Sequence, residues 1–243
     1  GSHETYYLAH DTHWTPVGAR IAAQAVANSL RGLGWTSESE FPYTAQEARV
    51  TRRGDIVEMM SIPALSERYD PEEVSCSQIL DPLVGPMVPQ PNTRDGRFKN
   101  DHLIDTPMES SILVLGDSFS RIYQSSEPAS LGEIAKSAPA EEPDTAESLT
   151  DTGSGTGNDG EVTQRRKKPL PGSAGFPSLL ANELKSPVDY VISDGGAATD
   201  VRQRLSVDPE MLENKRVVIW EFAERDVRYG QAGWSNVPLP PEQ

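Results

Sequence analysis

Cysteine and long hydrophobic runs are what this chain has least of. Cys76 is its only cysteine, which excludes an intrachain disulfide and a zinc site built from several cysteines. No segment approaches the roughly 18 consecutive apolar residues that a membrane-spanning helix requires. The sequence therefore predicts neither a disulfide-stabilised scaffold nor a chain that itself crosses a membrane.

Positive charge is also scarce. Lys and Arg number 22 against 37 Asp and Glu, which gives a formal net charge of -15. Proteins that bind nucleic acids or anionic membranes in general need clustered Lys and Arg side chains to contact phosphates. The composition therefore argues against a nucleic-acid partner.

Apolar residues are too few for the whole length to be packed. They make up 36% of the chain, and residues 125–172 are rich in Ser, Thr, Gly, Pro, Ala and Glu. Such a segment cannot bury enough surface to offset the entropy lost on ordering, so we predict a long disordered insertion there. Its basic run at residues 165–168 is open to two interpretations, contact with an anionic polymer or simple solvation.

Three short apolar segments predict buried strands, near residues 111–115, 188–193 and 216–222. Helical segments are predicted between them. This alternation indicates βαβ units, that is, an α/β fold with a mainly parallel sheet. We predict a single domain over residues 1–243, interrupted by the insertion.

The first well-specified element is a helix from Thr15 and Pro16 to about Leu33, because Thr is a favourable N-cap and Pro a favourable first helical residue. Asp11 and His13 thus lie in the turn just before a fixed helix. In a catalytic triad, a carboxylate orients an imidazole that removes a proton from a serine. Taken alone, however, His13 is more simply interpreted as a surface histidine.

Residues 36–100 give a weaker pattern. We predict a short helix near residues 54–60 that is capped by Asp55, and otherwise irregular or edge-strand structure, because prolines recur along the segment. The tripeptide at residues 53–55 matches an integrin-type motif only as a string, and capping explains it better.

Ser118 follows the first predicted strand directly, in the sequence Gly116-Asp117-Ser118. A serine between a strand and a helix start can be presented for acyl transfer, with helix amides beside it to hold an oxyanion. The alternative is that Asp117 or Ser118 merely caps the next helix. From these residues alone capping is the simpler interpretation, since strand-turn-helix motifs are only hypotheses of function.

Four blocks together are more specific than each alone: "AHDTHWTPVGA", "LVLGDSFS", "DGGAA" and "VIWEFAERDV". In this order they resemble the SGNH hydrolase-like polysaccharide O-acetyltransferases of the alginate O-acetyltransferase AlgJ/AlgX type, in which the DTHW block precedes the serine block. No C-terminal carbohydrate-binding block is recognisable in this sequence, so we expect the likeness to be closer to the AlgJ type. The resemblance implies a three-layer, flavodoxin-like α/β fold with helices on both faces of the sheet. It spans nearly the whole chain apart from the insertion.

The resemblance also implies roles for individual residues. Ser118 would be the nucleophile, His13 the general base and Asp11 the carboxylate that orients it. No metal or cofactor is implied. The oxyanion-hole candidates are the backbone amides of Ser118, Gly195 and Gly196, and the substrate-binding candidates are Trp14, Arg225 and Glu224, of which the last two could instead pair with each other.

The implied function is transfer of an acetyl group, through an acetyl-serine, to hydroxyls of an exported, alginate-like polysaccharide. The acetyl donor would be relayed by a membrane-bound O-acyltransferase, and the location would be the Gram-negative periplasm. Family members have sequence before the DTHW block, so we expect a chain that is truncated at its N-terminus and whose missing segment could anchor it. Two alternatives stay open, a carbohydrate acetylesterase and a non-catalytic polysaccharide-binding subunit of a secretion complex.

Overall fold

The computed structural model describes residues 5–36, 40–62, 64, 68–82, 103–105, 109–124, 172–195, 198–228 and 234–238. The predicted insertion at residues 125–172 lies outside these residues except for its last position. Within the described residues the strands are β1 (Thr44–Arg52), β2 (Glu72–Leu80), β3 (Leu103–Asp105), β4 (Ile112–Gly116), β5 (Asp189–Ser193) and β6 (Val217–Trp220). The α-helices are α1 (Pro16–Gly32), α2 (Asp55–Met59), α3 (Ser118–Arg121), α4 (Phe176–Leu184), α5 (Asp200–Val207) and α6 (Glu224–Arg228), and a 3-10 helix spans Pro209–Leu212.

The central sheet has four strands in the order β3-β5-β4-β6. β4 runs parallel to both of its neighbours, β5 and β6, and β3 is antiparallel at the edge. Every residue of β4 and β5 is buried, as expected for strands covered on both faces. The three strands predicted from apolar runs are therefore confirmed, and so is their parallel arrangement.

Helices cover both faces of this sheet. α1 and α4 pack on one face, where the core includes Val114, Leu180 and Ile192. On the other face, α5 and the 3-10 helix pack through Val201 and Met211 against Leu113 of β4. The predicted three-layer α/β architecture is confirmed.

The first helix begins and ends close to where the sequence predicts. Oγ1 of Thr15 accepts a hydrogen bond from the backbone N–H of Gly18 at 3.2 Å, and Pro16 is the first helical residue. The helix ends at Gly32, and Gly34 follows it with a φ of 66°, a conformation that glycine adopts without strain. The turn that holds Asp11 and His13 is therefore anchored to a well-defined helix.

Residues 36–100 contain more regular structure than the sequence indicates. β1 and β2 form an antiparallel pair nine residues long, from Thr44 opposite Leu80 to Arg52 opposite Glu72. Much of the pair is exposed, so its strands carry polar side chains and lack the apolar runs that mark buried strands. The pair packs on the rest of the protein through a small cluster that includes Val50 and through Ile79 of β2, which joins the main core.

The predicted cap of α2 is also wrong. Asp55 is the first helical residue, Gly54 is the N-cap, and no side chain caps this helix. The carboxylate of Asp55 contacts Thr12 instead. Asp55 therefore makes a contact with a distant residue instead of the local capping bond that the sequence predicted.

No helix among the described residues has both the length and the apolar character needed to cross a membrane.

Candidate active site

The carboxyl ends of β4, β5 and β6 lie side by side because these strands are parallel neighbours. Ser118 follows β4, the turn at Asp194 and Gly195 follows β5, and Glu221 follows β6. Open α/β sheets bind their ligands at this edge. The structure thus gathers here three of the turns that the sequence singled out.

A fourth turn, at Asp11 and His13, is held in front of α1. The backbone N–H of Leu8 donates to the carbonyl of His13 at 3.1 Å, and Tyr7 and Trp14 form an antiparallel bridge. Oδ1 of Asp11 accepts from the backbone N–H of His13 at 3.0 Å and lies 2.6 Å from Nδ1 of the ring. The acid and the imidazole are therefore paired, and Asp11 fixes the ring through Nδ1.

Arg52, at the end of β1, binds the other oxygen of Asp11. Its Nε and Nη2 lie 3.3 and 3.1 Å from Oδ2 of Asp11, whose side chain is fully buried. Burial by itself would raise the pKa of Asp11, but the hydrogen bonds from His13 and the charge of Arg52 outweigh it and hold that pKa below its usual range. Asp11 is therefore an anion that can stabilise a positive charge on His13.

Asp55 brings a second carboxylate to the same turn. Its Oδ1 accepts from the backbone N–H of Thr12 at 2.7 Å, its Oδ2 accepts from the hydroxyl of Thr12, and Oδ2 lies 3.4 Å from Nδ1 of His13. This approach requires Gly54, which has a φ of 88° and would clash with the carbonyl of His10 if it carried a Cβ. Asp55 thus holds the residue between Asp11 and His13.

The contribution of Asp55 to the rate can be tested by removing its charge. If His13 acts as a base, we expect Asp55→Asn to lower kcat by a few-fold up to about tenfold, because a partly exposed charge is worth on the order of 1 kcal/mol. Glu58→Gln, an exposed change in the same helix, is the matched control for steady-state kinetics. An Asp55→Asn enzyme with the kinetics of Glu58→Gln would contradict the prediction.

Ser118 begins α3 directly after Asp117. Oδ1 of Asp117 accepts from the backbone N–H of Phe119 at 2.8 Å, so Asp117 caps the helix, as one interpretation of the sequence predicted. The Phe119 ring lies 5.1 Å from the His13 ring, measured between centroids. The capping role and a nucleophilic Ser118 are compatible, because the cap uses the side chain of Asp117 and leaves the Ser118 hydroxyl available for chemistry.

The ring nitrogen that a general base would use is Nε2 of His13. It is buried and has no hydrogen-bond partner within the described part of the chain. The Ser118 hydroxyl therefore does not bond it in this structure. Bonds between nucleophile and base often tighten only when substrate is bound, so this geometry is compatible with catalysis.

The oxyanion-hole candidates differ in how they are placed. Gly195 is exposed, with a φ of 67°, in the turn after β5. Nη1 of Arg121 in α3 lies 2.9 Å from Oδ2 of Asp194, so an ion pair links this turn to the Ser118 helix. Gly196 lies outside the described residues. Ser118 and Gly195 therefore remain candidate donors at the same sheet edge.

The substrate-binding candidates also differ in how far they are buried. The Trp14 ring packs edge-on against Phe119, 5.5 Å between centroids, and lies 5.9 Å from Phe176, so packing accounts for most of its surface. Its Nε1 is buried and has no hydrogen-bond partner among the residues described, which leaves one donor for a bound substrate. Glu224 and Arg225 are exposed on α6 and remain candidates.

One group of side chains has the composition of a metal site. Ligand atoms of Asp11, His13 and Asp55 lie within 4.8 Å of one another. Arg52 already contacts Oδ2 of Asp11, and Thr12 occupies both oxygens of Asp55. Hydrogen bonds and a guanidinium thus account for these carboxylates, and we assign no metal to them.

The comparisons with known proteins identify the class. A family model described as the SGNH hydrolase-like domain of acetyltransferase AlgX matches residues 1–132, more than half of the chain. The chain belongs to this family, as the sequence blocks indicated. The matched part contains Asp11, His13 and Ser118. A search of curated proteins found no match.

Two solved structures share the fold. The O-acetyltransferase domain of Pseudomonas putida AlgJ has a TM-score of 0.54 and 18% identity, over 92% of this chain and 55% of that one. Pseudomonas aeruginosa AlgX has a TM-score of 0.50 and 16% identity, over 92% of this chain and 38% of that one. The TM-score is slightly higher for AlgJ, in agreement with the predicted likeness. The chain spans about half the length of the AlgJ structure.

Sequence reasoning did not find Arg52 and misassigned Asp55. Arg52 contacts Asp11 across 41 positions, and Asp55 contacts Thr12 across 43. The available signal was Gly54, a glycine just before a carboxylate, which can mark a close approach of two backbones. The sequence interpretation treated this position as a local cap.

Proposed function

We propose that this chain is an O-acetyltransferase domain that carries an acetyl group on Ser118 and transfers it to hydroxyls of an exported, alginate-like polysaccharide. The observation that carries the proposal is the buried Asp11–His13 pair. Nε2 of its ring has no hydrogen-bond partner among the described residues, and the ring lies against Phe119, the neighbour of Ser118. Membership of an acetyltransferase family supports acetyl as the transferred group.

In the first half of the proposed reaction, Oγ of Ser118 attacks the carbonyl carbon of the acetyl donor. Nε2 of His13 takes the serine proton, and Asp11 stabilises the imidazolium that forms. The amides of Ser118 and Gly195 are the candidates to bind the oxyanion. When the intermediate collapses, the proton passes from His13 to the leaving group of the donor, and the acetyl-enzyme remains.

In the second half, a sugar hydroxyl attacks the acetyl-serine. His13 takes the proton of that hydroxyl and returns it to Oγ of Ser118 as the acetylated sugar leaves. Water in place of the sugar gives acetate, the esterase reaction. Transfer and hydrolysis therefore differ only in which hydroxyl enters the site.

The remaining features follow from family resemblance and stand as part of the proposal. The acetyl donor is relayed by a membrane-bound O-acyltransferase, the location is the periplasm, and residues 1–243 form one domain with an insertion at 125–172. Glu224 and Arg225, both exposed on α6, are included as candidates to contact an acceptor chain.

The test is turnover of an activated acetyl ester, p-nitrophenyl acetate, with and without acceptor. Mannuronate and glucose oligosaccharides are supplied in parallel, and mass spectrometry detects acetylated sugar. We expect acetylated mannuronate oligosaccharide, and none with Ser118→Ala. Acetate release with no acetylated sugar would favour an esterase, and binding of the oligosaccharide without any turnover would indicate a non-catalytic subunit.

A further inference from the structure

Two acidic side chains connect the Ser118 turn to the end of β6, and each accepts hydrogen bonds from the segment that carries the other. Oε2 of Glu221 accepts from the backbone N–H of Asp117 at 3.1 Å and from the hydroxyl of Ser120 at 2.9 Å. Oδ2 of Asp117 in turn accepts from the backbone N–H of Ala223 at 3.2 Å. We call these four residues, Asp117, Ser120, Glu221 and Ala223, the clasp. Ser118 lies between two of its members.

The clasp requires a glycine at position 116. A Cβ on Gly116 would strike the side chain of Ser120 and lie 3.2 Å from Oε2 of Glu221. The backbone N–H of Glu221 donates to the carbonyl of Leu115 at 2.8 Å, which fixes the origin of the Glu221 side chain beside β4. Glu221 therefore reaches the turn from a rigid position on the sheet.

The hydrogen bond by which Asp117 caps α3 does not connect the turn to β6. This bond to the N–H of Phe119 stays within the turn and shapes it locally. The two bonds to Glu221 join the turn to a neighbouring strand, 104 and 101 positions away in sequence. Together with that of Ala223, these bonds connect the turn to β6, while the ion pair between Arg121 and Asp194 connects its helix to the turn after β5.

Both bonds of Glu221 use one acceptor oxygen, so a neutral carboxyl can make them. Burial first, and then the negative charge of Asp117, raise the pKa of Glu221 to about 8. A neutral amide has the same shape and the same acceptor. A glutamine is therefore a close substitute for Glu221, and an alanine is not.

We propose that Glu221 is a positioning residue for Ser118, because it holds the residues on either side of the nucleophile against β6. This inference rests on the proposed role of Ser118 in acetyl transfer. The hydrogen bonds described for the Glu221 side chain go to Asp117 and Ser120 and not to a reacting atom. It acts by keeping the Ser118 hydroxyl where His13 can take its proton, and an error of about 1 Å in such a position can cost 100-fold in rate.

The kinetic test compares Glu221→Ala with Glu221→Gln in the full chain, using p-nitrophenyl acetate. We expect Glu221→Ala to lower kcat roughly 10- to 100-fold with little change in KM, since binding of the small ester does not depend on the turn. Glu221→Gln is expected to restore kcat to within about threefold of the unmutated chain. Glu213→Ala, an exposed change before β6, serves as the control and should leave kcat unchanged.

Amide hydrogen exchange tests the clasp without relying on activity. In Glu221→Ala we expect faster exchange over residues 112–122 only, with Glu221→Gln and Glu213→Ala unchanged. If the unmutated chain fails to turn over the ester, the proposed function fails, and exchange alone decides whether Glu221 holds the turn. Unaltered exchange in Glu221→Ala, or a kcat as low in Glu221→Gln as in Glu221→Ala, would overturn the inference.

Discussion

Replacing Ser118 with alanine is expected to remove acetyl transfer, with kcat falling at least about 1,000-fold. The loss is this large because no acetyl-enzyme can form without the hydroxyl, and the reaction then depends on binding alone. Intact-protein mass spectrometry should show one acetyl group on the unmutated chain after a pulse of p-nitrophenyl acetate, and none on Ser118→Ala.

The same experiment tests whether His13 acts as the base or has only a structural role. His13→Ala should lose a similar factor, and the double variant should be no worse than either single one, because nucleophile and base act as a unit. Ser29→Ala, on the exposed face of α1, is the matched serine control. Acetylation of Ser118→Ala at the normal rate, or additive losses in the double variant, would contradict the assignment.

Asp11→Asn is expected to lower kcat by about 1,000- to 10,000-fold. An amide in place of the carboxylate neither holds His13 in the required tautomer nor stabilises the imidazolium. Arg52→Lys should cost much less, because a positive charge remains beside Asp11 although the contacts through Nε and Nη2 are lost. Steady-state kinetics of the two variants, with circular dichroism to check folding, provide the measurement.

Asp11 also predicts an effect of pH on stability. Its pKa is lowered in the folded chain, so its ionised form stabilises the fold above about pH 4, and this contribution is lost as the pH falls further. The difference in Tm between the unmutated chain and Asp11→Asn should therefore shrink as the pH is taken below about 4. A difference that stays constant from pH 6 to pH 3 would contradict this.

Those parts of the molecule that local sequence determines were predictable. β4 and β5 are buried on both faces and have apolar centres, and Thr15 with Pro16 marks the start of α1. The Asp11–His13 pairing was foreseeable too, because two positions in one turn can face each other without help from the rest of the chain.

Contacts between distant segments were not predictable in this way. Arg52 reaches Asp11 only because β1 pairs with β2 and packs against Leu8 through Val50. Glu221 reaches Asp117 only because β4 and β6 are neighbours in the sheet. An arginine or a glutamate gives no local sign of such a partner. The sequence blocks pointed to the segment around Glu221 but not to what its carboxyl does.

The Asp11–Arg52 contact makes the candidate active site depend on both sheets of the protein. His13 and Ser118 belong to the layered α/β body, while Arg52 belongs to the separate β1–β2 sheet, which packs on that body through Val50 in a small cluster and through Ile79 in the main core. If the β1–β2 sheet detaches while the body stays folded, Asp11 loses a cation that holds its charge. Catalytic competence is therefore a more sensitive reporter of complete assembly than helix content.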